Sequence, residues 1–133
     1  MSAATTNADS LSPALTVNDL PRSLKFYTEG LGFEIVQKHE RDGKLQYVAM
    51  KAGNGKLGIG QDDFAKGRDR AKGVGMRIWI VVSEDINALA ERAKSAGITL
   101  DEGPLQTPWG STSFSVTDPD GFKISIEKPA PGQ

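Results

Sequence analysis

The sequence predicts an α+β fold made of two similar halves, each with the element order βαβββ. The apolar pattern alternates between period 2, which is typical of strands, and helical spacing, and it does so in the same order twice. An internal repeat accompanies this pattern, in which equivalent residues stand 65 positions apart: Val17 and Val82, Asp19 and Glu84, Leu24 and Leu89, Gly32 and Gly97. Helix caps and helix ends always use these residue types, so a chance self-match is the alternative interpretation.

The first half begins with a strand in ALTVN (14–18), followed by a helix. Asp19 is a good N-cap for this helix, because its side chain can accept hydrogen bonds from the first free amides just before Pro21. Apolar residues at helical spacing and a glycine stop follow: Leu20, Leu24, Tyr27 and Leu31, then Gly30 and Gly32. Three strands are expected after them: 34–40, 45–51 and 56–61. Asp42 and Gly43 suit a hairpin turn between the first two of these strands.

The second half repeats this order. MRIWIVV (76–82) is expected to form a strand, and Ser83 is expected to cap a helix whose first turn carries Glu84 and Asp85, as the helix dipole favours. The helix has one apolar face: Ile86, Leu89, Ala90 and Ala93. Gly97 ends it, and three strands are expected beyond: 98–103, 111–117 and 122–127.

A single domain is expected, because 133 residues with 38% hydrophobic content support one ordinary core. It should cover residues 12–128, as two modules of about 12–61 and 76–128. The charged, glycine-punctuated segment 62–75 joins them and is interpreted as a solvated loop, with a mobile lid over a pocket as the alternative. The polar, proline-containing ends are expected to be disordered tails: 1–11 and 129–133.

The composition favours a small-molecule ligand. The 16 basic and 17 acidic residues are interspersed and leave a net charge of −1, so no strong field attracts nucleic acid or an anionic membrane. No apolar stretch approaches the roughly 20 residues of a membrane span. The absence of cysteine excludes disulfides and thiolate sites, and a reducing cytoplasm is the expected compartment.

Two long motifs resemble the vicinal oxygen chelate superfamily, which includes glyoxalase I, extradiol dioxygenases and bleomycin resistance proteins. VNDLPRSLKFYTEGLGF occupies residues 17–33, and PWGSTSFSVTDPDGFKISI occupies residues 108–126. The resemblance spans about residues 12–128. It implies that each βαβββ module curls into half of a barrel-like mixed sheet whose concave inside holds the ligand.

The resemblance also bears on metal binding. Enzymes of the superfamily usually hold a divalent metal through four residues on the first and last strands of the two modules, mostly His, Glu or Gln. Carried onto this sequence, those positions are Ser12, Gly60, Arg77 and Ser125. Neutral hydroxyls beside a guanidinium lack the donors that such metals require, so we expect no metal and no cofactor. A register error would substitute Gln61 for Gly60, which still leaves an incomplete set.

Six residues are candidates for ligand binding: Arg77, Trp79, Trp109, Ser113, Ser125 and Glu127. Trp79 shares the strand face of Arg77, and Trp109 lies where relatives often place an aromatic residue at the rim. Indole rings and a guanidinium suit an aromatic or planar ligand with an anionic group. The alternative is that Arg77 forms a structural ion pair with Glu127 while Trp79 packs in a dimer interface. His39, the only histidine, is interpreted as a solvated surface residue.

These features favour a metal-independent small-molecule-binding protein, closest in role to the bleomycin resistance branch. The first alternative is a metal-dependent lyase, isomerase or dioxygenase that uses a non-standard ligand set. The second is a structural or regulatory dimeric domain with a filled cavity. No nucleophile has a histidine near it in the sequence, so no catalytic residue is assigned. A homodimer is expected, because half-barrels of the superfamily often complete their sites across chains.

Overall fold

In the computed structural model, which describes residues 5–131, the strands form two four-stranded sheets, one from each half of the chain. In both sheets the first strand of the half lies parallel to the last strand, and the remaining pairings are antiparallel. The predicted α+β fold of two βαβββ halves is therefore confirmed. Residues 1–4 and 132–133, which belong to the expected tails, lie outside the described residues.

The first sheet has the strand order β1-β4-β3-β2. Its elements in chain order are β1 (Ala14–Val17), α1 (Leu20–Lys25), one π-helical turn (Phe26–Gly30), β2 (Glu34–Arg41), β3 (Lys44–Ala52) and β4 (Gly55–Gln61). The predicted cap is confirmed, because the Asp19 carboxylate accepts a hydrogen bond from the Arg22 amide at 3.2 Å and Pro21 follows directly. Gly32, at φ 82°, ends the helical segment in the left-handed conformation that glycine favours.

The second sheet has the order β5-β8-β7-β6. Its elements are β5 (Arg77–Val81), α2 (Ile86–Ser95), β6 (Glu102–Gln106), β7 (Thr112–Thr117) and β8 (Lys123–Lys128). The prediction that Ser83 caps α2 is wrong. Asp85 is the N-cap, since its carboxylate accepts from the Asn87 amide at 3.0 Å.

The predicted strand at 98–103 is displaced, because β6 begins only at Glu102. The amide of Ile98 donates to the carbonyl of Ala93 at 3.0 Å, so this residue still belongs to the end of α2. Its side chain packs against Gly30 of the first half, where a Cβ would collide with it. Because Ile98 both ends α2 and packs against Gly30, the strand starts only after it.

One hydrophobic core joins the two halves, because each sheet packs one face against its own helix and α2 contacts the π-helical turn. Arg92 reinforces this junction by donating to the carbonyls of Thr28 and Glu29 at 3.2 and 3.1 Å. The two helical segments thus lie between the sheets. The face of each sheet opposite to its helix is called its open face below.

The turn after β7 also fastens the halves together. The Tyr27 hydroxyl donates to Asp118 at 2.7 Å, and Asp120 accepts from the Asn18 amide at 2.9 Å and from the Ser23 hydroxyl at 3.2 Å. Burial raises the pKa of both the Tyr27 hydroxyl and the Asp118 carboxyl. Asp118 and Asp120, the two aspartates of the turn sequence DPDG (118–121), therefore link the second half of the chain to the first.

The loop 62–75 is fastened at both ends. The Lys72 ammonium lies 2.8 Å from the Asp62 carboxylate and donates to the Asn18 side chain at 2.7 Å, and both charged groups are buried. Arg70 contacts the same oxygen of Asp62, Oδ2, at 3.2 Å. Among the described residues, no helix is long and apolar enough to cross a membrane.

Candidate ligand-binding site

The site lies on the open face of the second sheet, and strand alternation selects its side chains. Along β5, Arg77, Trp79 and Val81 are exposed, while the residues between them turn toward the core. The parallel pairing sets Trp79 beside Ser125 of β8, and Ser125 in turn lies beside Ser115 of β7. The interpretation that Arg77 and Trp79 share a face is confirmed by this register.

These side chains surround a cavity of about 410 Å³, within the size range of small-molecule sites. Its lining consists of Arg77, Trp79, Asp101, Glu102, Leu105, Thr107, Pro108, Trp109, Ser113, Ser115, Lys123 and Ser125. The structure thus brings five of the six candidate residues to one cavity. The sixth, Glu127, is only 8% exposed and lies behind the two tryptophans.

Arg77 carries a free positive charge at this cavity. One of its guanidinium nitrogens donates to the Ser125 hydroxyl at 2.7 Å. Within the described part of the chain it lies within 4 Å of no carboxylate, so the alternative of an Arg77–Glu127 ion pair is wrong. A guanidinium has five N–H donors, and most of those of Arg77 remain available to a bound molecule.

Glu127 is instead held by neutral donors. Its carboxylate accepts from the Ser111 hydroxyl at 2.5 Å, from the Trp109 indole N–H at 2.7 Å and from the Trp79 indole N–H at 3.0 Å. These three hydrogen bonds, of which that from Ser111 contributes most, hold the pKa of Glu127 below its ordinary value of 4.5. The side chain is therefore ionised at neutral pH.

Both indole rings remain half-exposed, 51% for Trp79 and 55% for Trp109, although their N–H groups are bound. What they expose is mainly carbon surface next to the cavity. Trp109 stands in a tight loop, in which the amide of Thr107 donates to the carbonyl of Ser111 at 2.8 Å and the two hydroxyls lie 2.7 Å apart. The hydrogen bonds between Thr107 and Ser111 thus fix the loop that carries Trp109.

Sequence reasoning missed several lining residues. Lys123 and Ser115 share strand faces with Ser125 and Ser113, so period-2 alternation could have found them. Asp101 and Glu102 lie within the predicted strand 98–103, but their place at the cavity depends on the pairing of β6 with β7, whose register shifts between Glu102 and Leu105. No sequence pattern reveals that shift. The polar chain at this end runs from the Lys123 ammonium to the Thr117 hydroxyl at 3.0 Å, and from that hydroxyl to Asp101 at 2.5 Å.

On the open face of the first sheet, a tyrosine side chain covers part of β4. Tyr47 lies across Gly58 and Gly60 of β4, so that a Cβ at Gly58 would collide with the Tyr47 hydroxyl. His39 stands opposite Tyr47 in the register, with ring centroids 6.1 Å apart, and is exposed. It shares no lining with the cavity of the second sheet.

The four positions implied for a metal do not form a competent donor set. Ser12 precedes β1, Gly60 lies in β4 beside Thr16 of β1, and Arg77 contacts Ser125 on the other sheet. Gln61, the substitute for Gly60, uses its side chain to accept from the Leu20 amide at 2.9 Å and so caps α1. Over residues 5–131, no three His, Asp or Glu side chains group to hold a metal ion.

Sequence relatives point to one family. A family model described as the Glyoxalase/Bleomycin resistance protein/Dioxygenase superfamily matches residues 10–126. The virulence protein STM3117 of Salmonella typhimurium is 30% identical over 118 residues, which cover 86% of this chain and 79% of the relative. A lactoylglutathione lyase of Oryza sativa subsp. japonica is also 30% identical, over 128 residues, but this chain spans only 41% of its length.

Solved structures agree with this fold. The structure of STM3117 has a TM-score of 0.69 at 26% identity and covers 96% of this chain and all of its own. TnmS3 from Streptomyces sp. CB03234, an antibiotic binding protein, has a TM-score of 0.73 at 22% identity and the same coverage. At that identity the likeness to TnmS3 concerns the fold alone.

Proposed function

The chain belongs to the Glyoxalase/Bleomycin resistance protein/Dioxygenase superfamily, and from this premise we propose that it is a metal-independent binding protein for a planar aromatic anion. The observation that carries the proposal is the guanidinium of Arg77, which forms no ion pair within residues 5–131, at the same cavity as two half-exposed indoles. The cavity of about 410 Å³ has room for a molecule of two or three fused rings.

Each part of this cavity has a role in binding. The exposed ring carbons of Trp79 and Trp109 offer stacking area, since aromatic pairs contribute about 0.5–1.5 kcal/mol beyond simple burial. Arg77 offers two parallel N–H groups for a carboxylate, and Ser125 holds it in place. Hydroxyls of Ser113 and Ser115 can bind polar substituents along the floor.

The antibiotic-binding description of TnmS3 supports the class of function, because it shows that this fold can serve in binding. A metal-dependent lyase is the second candidate, favoured by the lactoylglutathione lyase among the relatives. Its weakness is the donor set, in which a guanidinium and small neutral residues stand where metal ligands are needed. An open cavity also weighs against a purely structural domain.

The proposal includes a homodimer. The helices lie between the two sheets, so the open faces look out on opposite sides of one chain. A second copy could lay its first-sheet face over the second-sheet cavity and exclude water from it. Size-exclusion chromatography with light scattering should give twice the chain mass of 14.2 kDa, whereas a monomer at all concentrations would contradict the dimer.

The test of binding uses 2-naphthoate, a flat aromatic carboxylate, in a calorimetric titration. We expect saturable binding that Arg77→Met weakens by about tenfold or more, because a charge-assisted hydrogen bond is lost. Arg22→Met is the matched control, since it makes the same substitution on α1 away from the cavity. Equal affinities of the two variants would contradict the role of Arg77.

Metal independence is tested separately by elemental analysis of the purified, dialysed protein. We expect no stoichiometric divalent metal and unchanged 2-naphthoate affinity in the presence of a chelator. Near-stoichiometric metal that survives dialysis would overturn this part of the proposal and favour the lyase candidate.

A further inference from the structure

Glu127 connects two tryptophans that come from different parts of the chain. Trp79 lies on β5, 48 residues before it, and Trp109 lies in the loop before β7, 18 residues before it. Each indole N–H occupies a different carboxylate oxygen, Oε1 for Trp79 and Oε2 for Trp109. One side chain therefore fixes the in-plane orientation of both rings.

A carboxylate is an unusual residue to bury at this position. Glu127 is 8% exposed, and within residues 5–131 no cation lies within ion-pair distance of it. Burying such a charge is costly unless hydrogen bonds compensate for the lost water, and here three do. What a carboxylate offers over any neutral side chain is two equivalent acceptor oxygens, one for each indole.

From this geometry we propose that Glu127 is a positioning residue that makes the cavity prefer flat ligands, by holding the rings of Trp79 and Trp109 in one fixed arrangement. This inference rests on the proposed function of the cavity. Two fixed rings give full stacking contact only to a planar molecule. Rings that are free to turn adapt to other shapes and lose entropy when any ligand binds.

Glu127 acts through the tryptophans rather than through its own charge. Its oxygens are already occupied by three donors, and it does not line the cavity. Simple electrostatics would have the opposite effect on an anionic ligand, because a nearby carboxylate repels it. Removing the charge should then strengthen binding, whereas removing a positioning residue should weaken it. The sign of the change distinguishes the two roles.

The first measurement uses the ligand-free protein and follows the two indole N–H signals in ¹H–¹⁵N spectra. In Glu127→Gln only one carbonyl oxygen remains, so at least one indole loses its acceptor and faces an amide N–H₂ group. We expect that signal to move upfield and its hydrogen exchange to quicken by about tenfold. Glu84→Gln is the matched control, because it neutralises an exposed carboxylate that lies outside the cavity lining. Unchanged indole signals in Glu127→Gln would overturn the proposal.

The second measurement compares 2-naphthoate with the globular acid 1-adamantanecarboxylate. We expect Glu127→Gln to weaken 2-naphthoate binding by about tenfold and 1-adamantanecarboxylate binding by less than about twofold, while Glu84→Gln, outside the cavity lining, changes neither affinity. Stronger binding of both acids, or an equal loss for both, would overturn the proposal. A wild-type protein that binds neither acid would refute the proposed function. In that case the indole spectra would still test whether Glu127 positions the rings.

Trp79→Phe provides a second variant in case Glu127→Gln does not fold. It keeps an aromatic ring but removes one of the N–H groups that the carboxylate holds. We expect it to lower the preference for 2-naphthoate over 1-adamantanecarboxylate by a few fold. An unchanged preference in this variant would count against positioning through the N–H group of Trp79.

Discussion

The two sheets share a strand order but differ on their open faces. Gly60 on β4 and Ser125 on β8 stand 65 positions apart, and each lies on the last strand of its half. Two residues before Gly60, the missing side chain of Gly58 lets Tyr47 approach the strand closely. Around Ser125 the neighbouring strands carry Arg77 and Trp79, and a cavity remains. The same topology thus supports a last strand covered by a tyrosine in one half and a last strand bordering a cavity in the other, and the outward side chains differ accordingly.

The comparison also shows how each face is stabilised. The first is filled by contact between an aromatic ring and bare backbone, which needs no charge. The second keeps its tryptophans half-exposed and orders them through a buried carboxylate. Rings that border a cavity have no close packing on that side, so hydrogen bonds to Glu127 order them instead.

Gly58→Ala should have the largest effect on the first face. The added Cβ collides with the Tyr47 hydroxyl, so the ring must move, and overpacking of this kind costs about 1–3 kcal/mol. Urea unfolding should show the loss, and a more exposed Tyr47 should accompany it. Gly60→Ala is the control, since its Cβ would meet Tyr47 at an ordinary 3.4 Å. Wild-type stability with Tyr47 unmoved would show that the ring does not depend on the glycine.

Acid should loosen the second face before the first. The pKa of Glu127 is below 4.5, so as pH falls from about 4.5 the unfolded chain binds a proton that the folded state resists, and stability is lost. Tryptophan emission should therefore change in this range while the Tyr47 signal stays constant. In Glu127→Gln this acid-dependent change should be absent. Its persistence in the variant would assign the change to another carboxyl group.

His39→Ala should have the smallest effect. The side chain is exposed on the first sheet and lies outside the cavity, and surface substitutions of this kind change stability by less than about 0.5 kcal/mol. Affinity for 2-naphthoate should change by less than about twofold, since His39 does not line the cavity within one chain. A loss of several fold in a direct titration would indicate that His39 of the second copy in the proposed dimer contacts the bound ligand.

Much of the fold could be predicted because its signals are local. The Asp19 cap, the glycine stops and the alternation along β5 depend on residues within one or two turns of each other. The errors also have local causes. Ser83, Glu84 and Asp85 can all cap or start a helix, and only the backbone path decided in favour of Asp85.

The sequence allowed us to predict which residues lie at the candidate site, but not which hydrogen bonds they form. Parity along the strands placed Arg77, Trp79 and Ser125 on one face, as the register has them. Whether Arg77 forms an ion pair depends on which donors the Glu127 carboxylate accepts from. No pattern in the sequence reveals that it turns to two indoles, because their spacing of 48 and 18 residues follows no period.

The sequence by itself determined the two βαβββ halves, the Asp19 cap and the strand faces, since these follow from local cap chemistry and from the periods of helix and strand. Only the tertiary structure decided that Tyr47 lies across β4, that the Gln61 side chain accepts from the first amide of α1, and that Glu127 links Trp79 with Trp109. Those contacts join segments far apart in the chain. Their distances depend on strand register and loop path, which are fixed only when the whole core packs together.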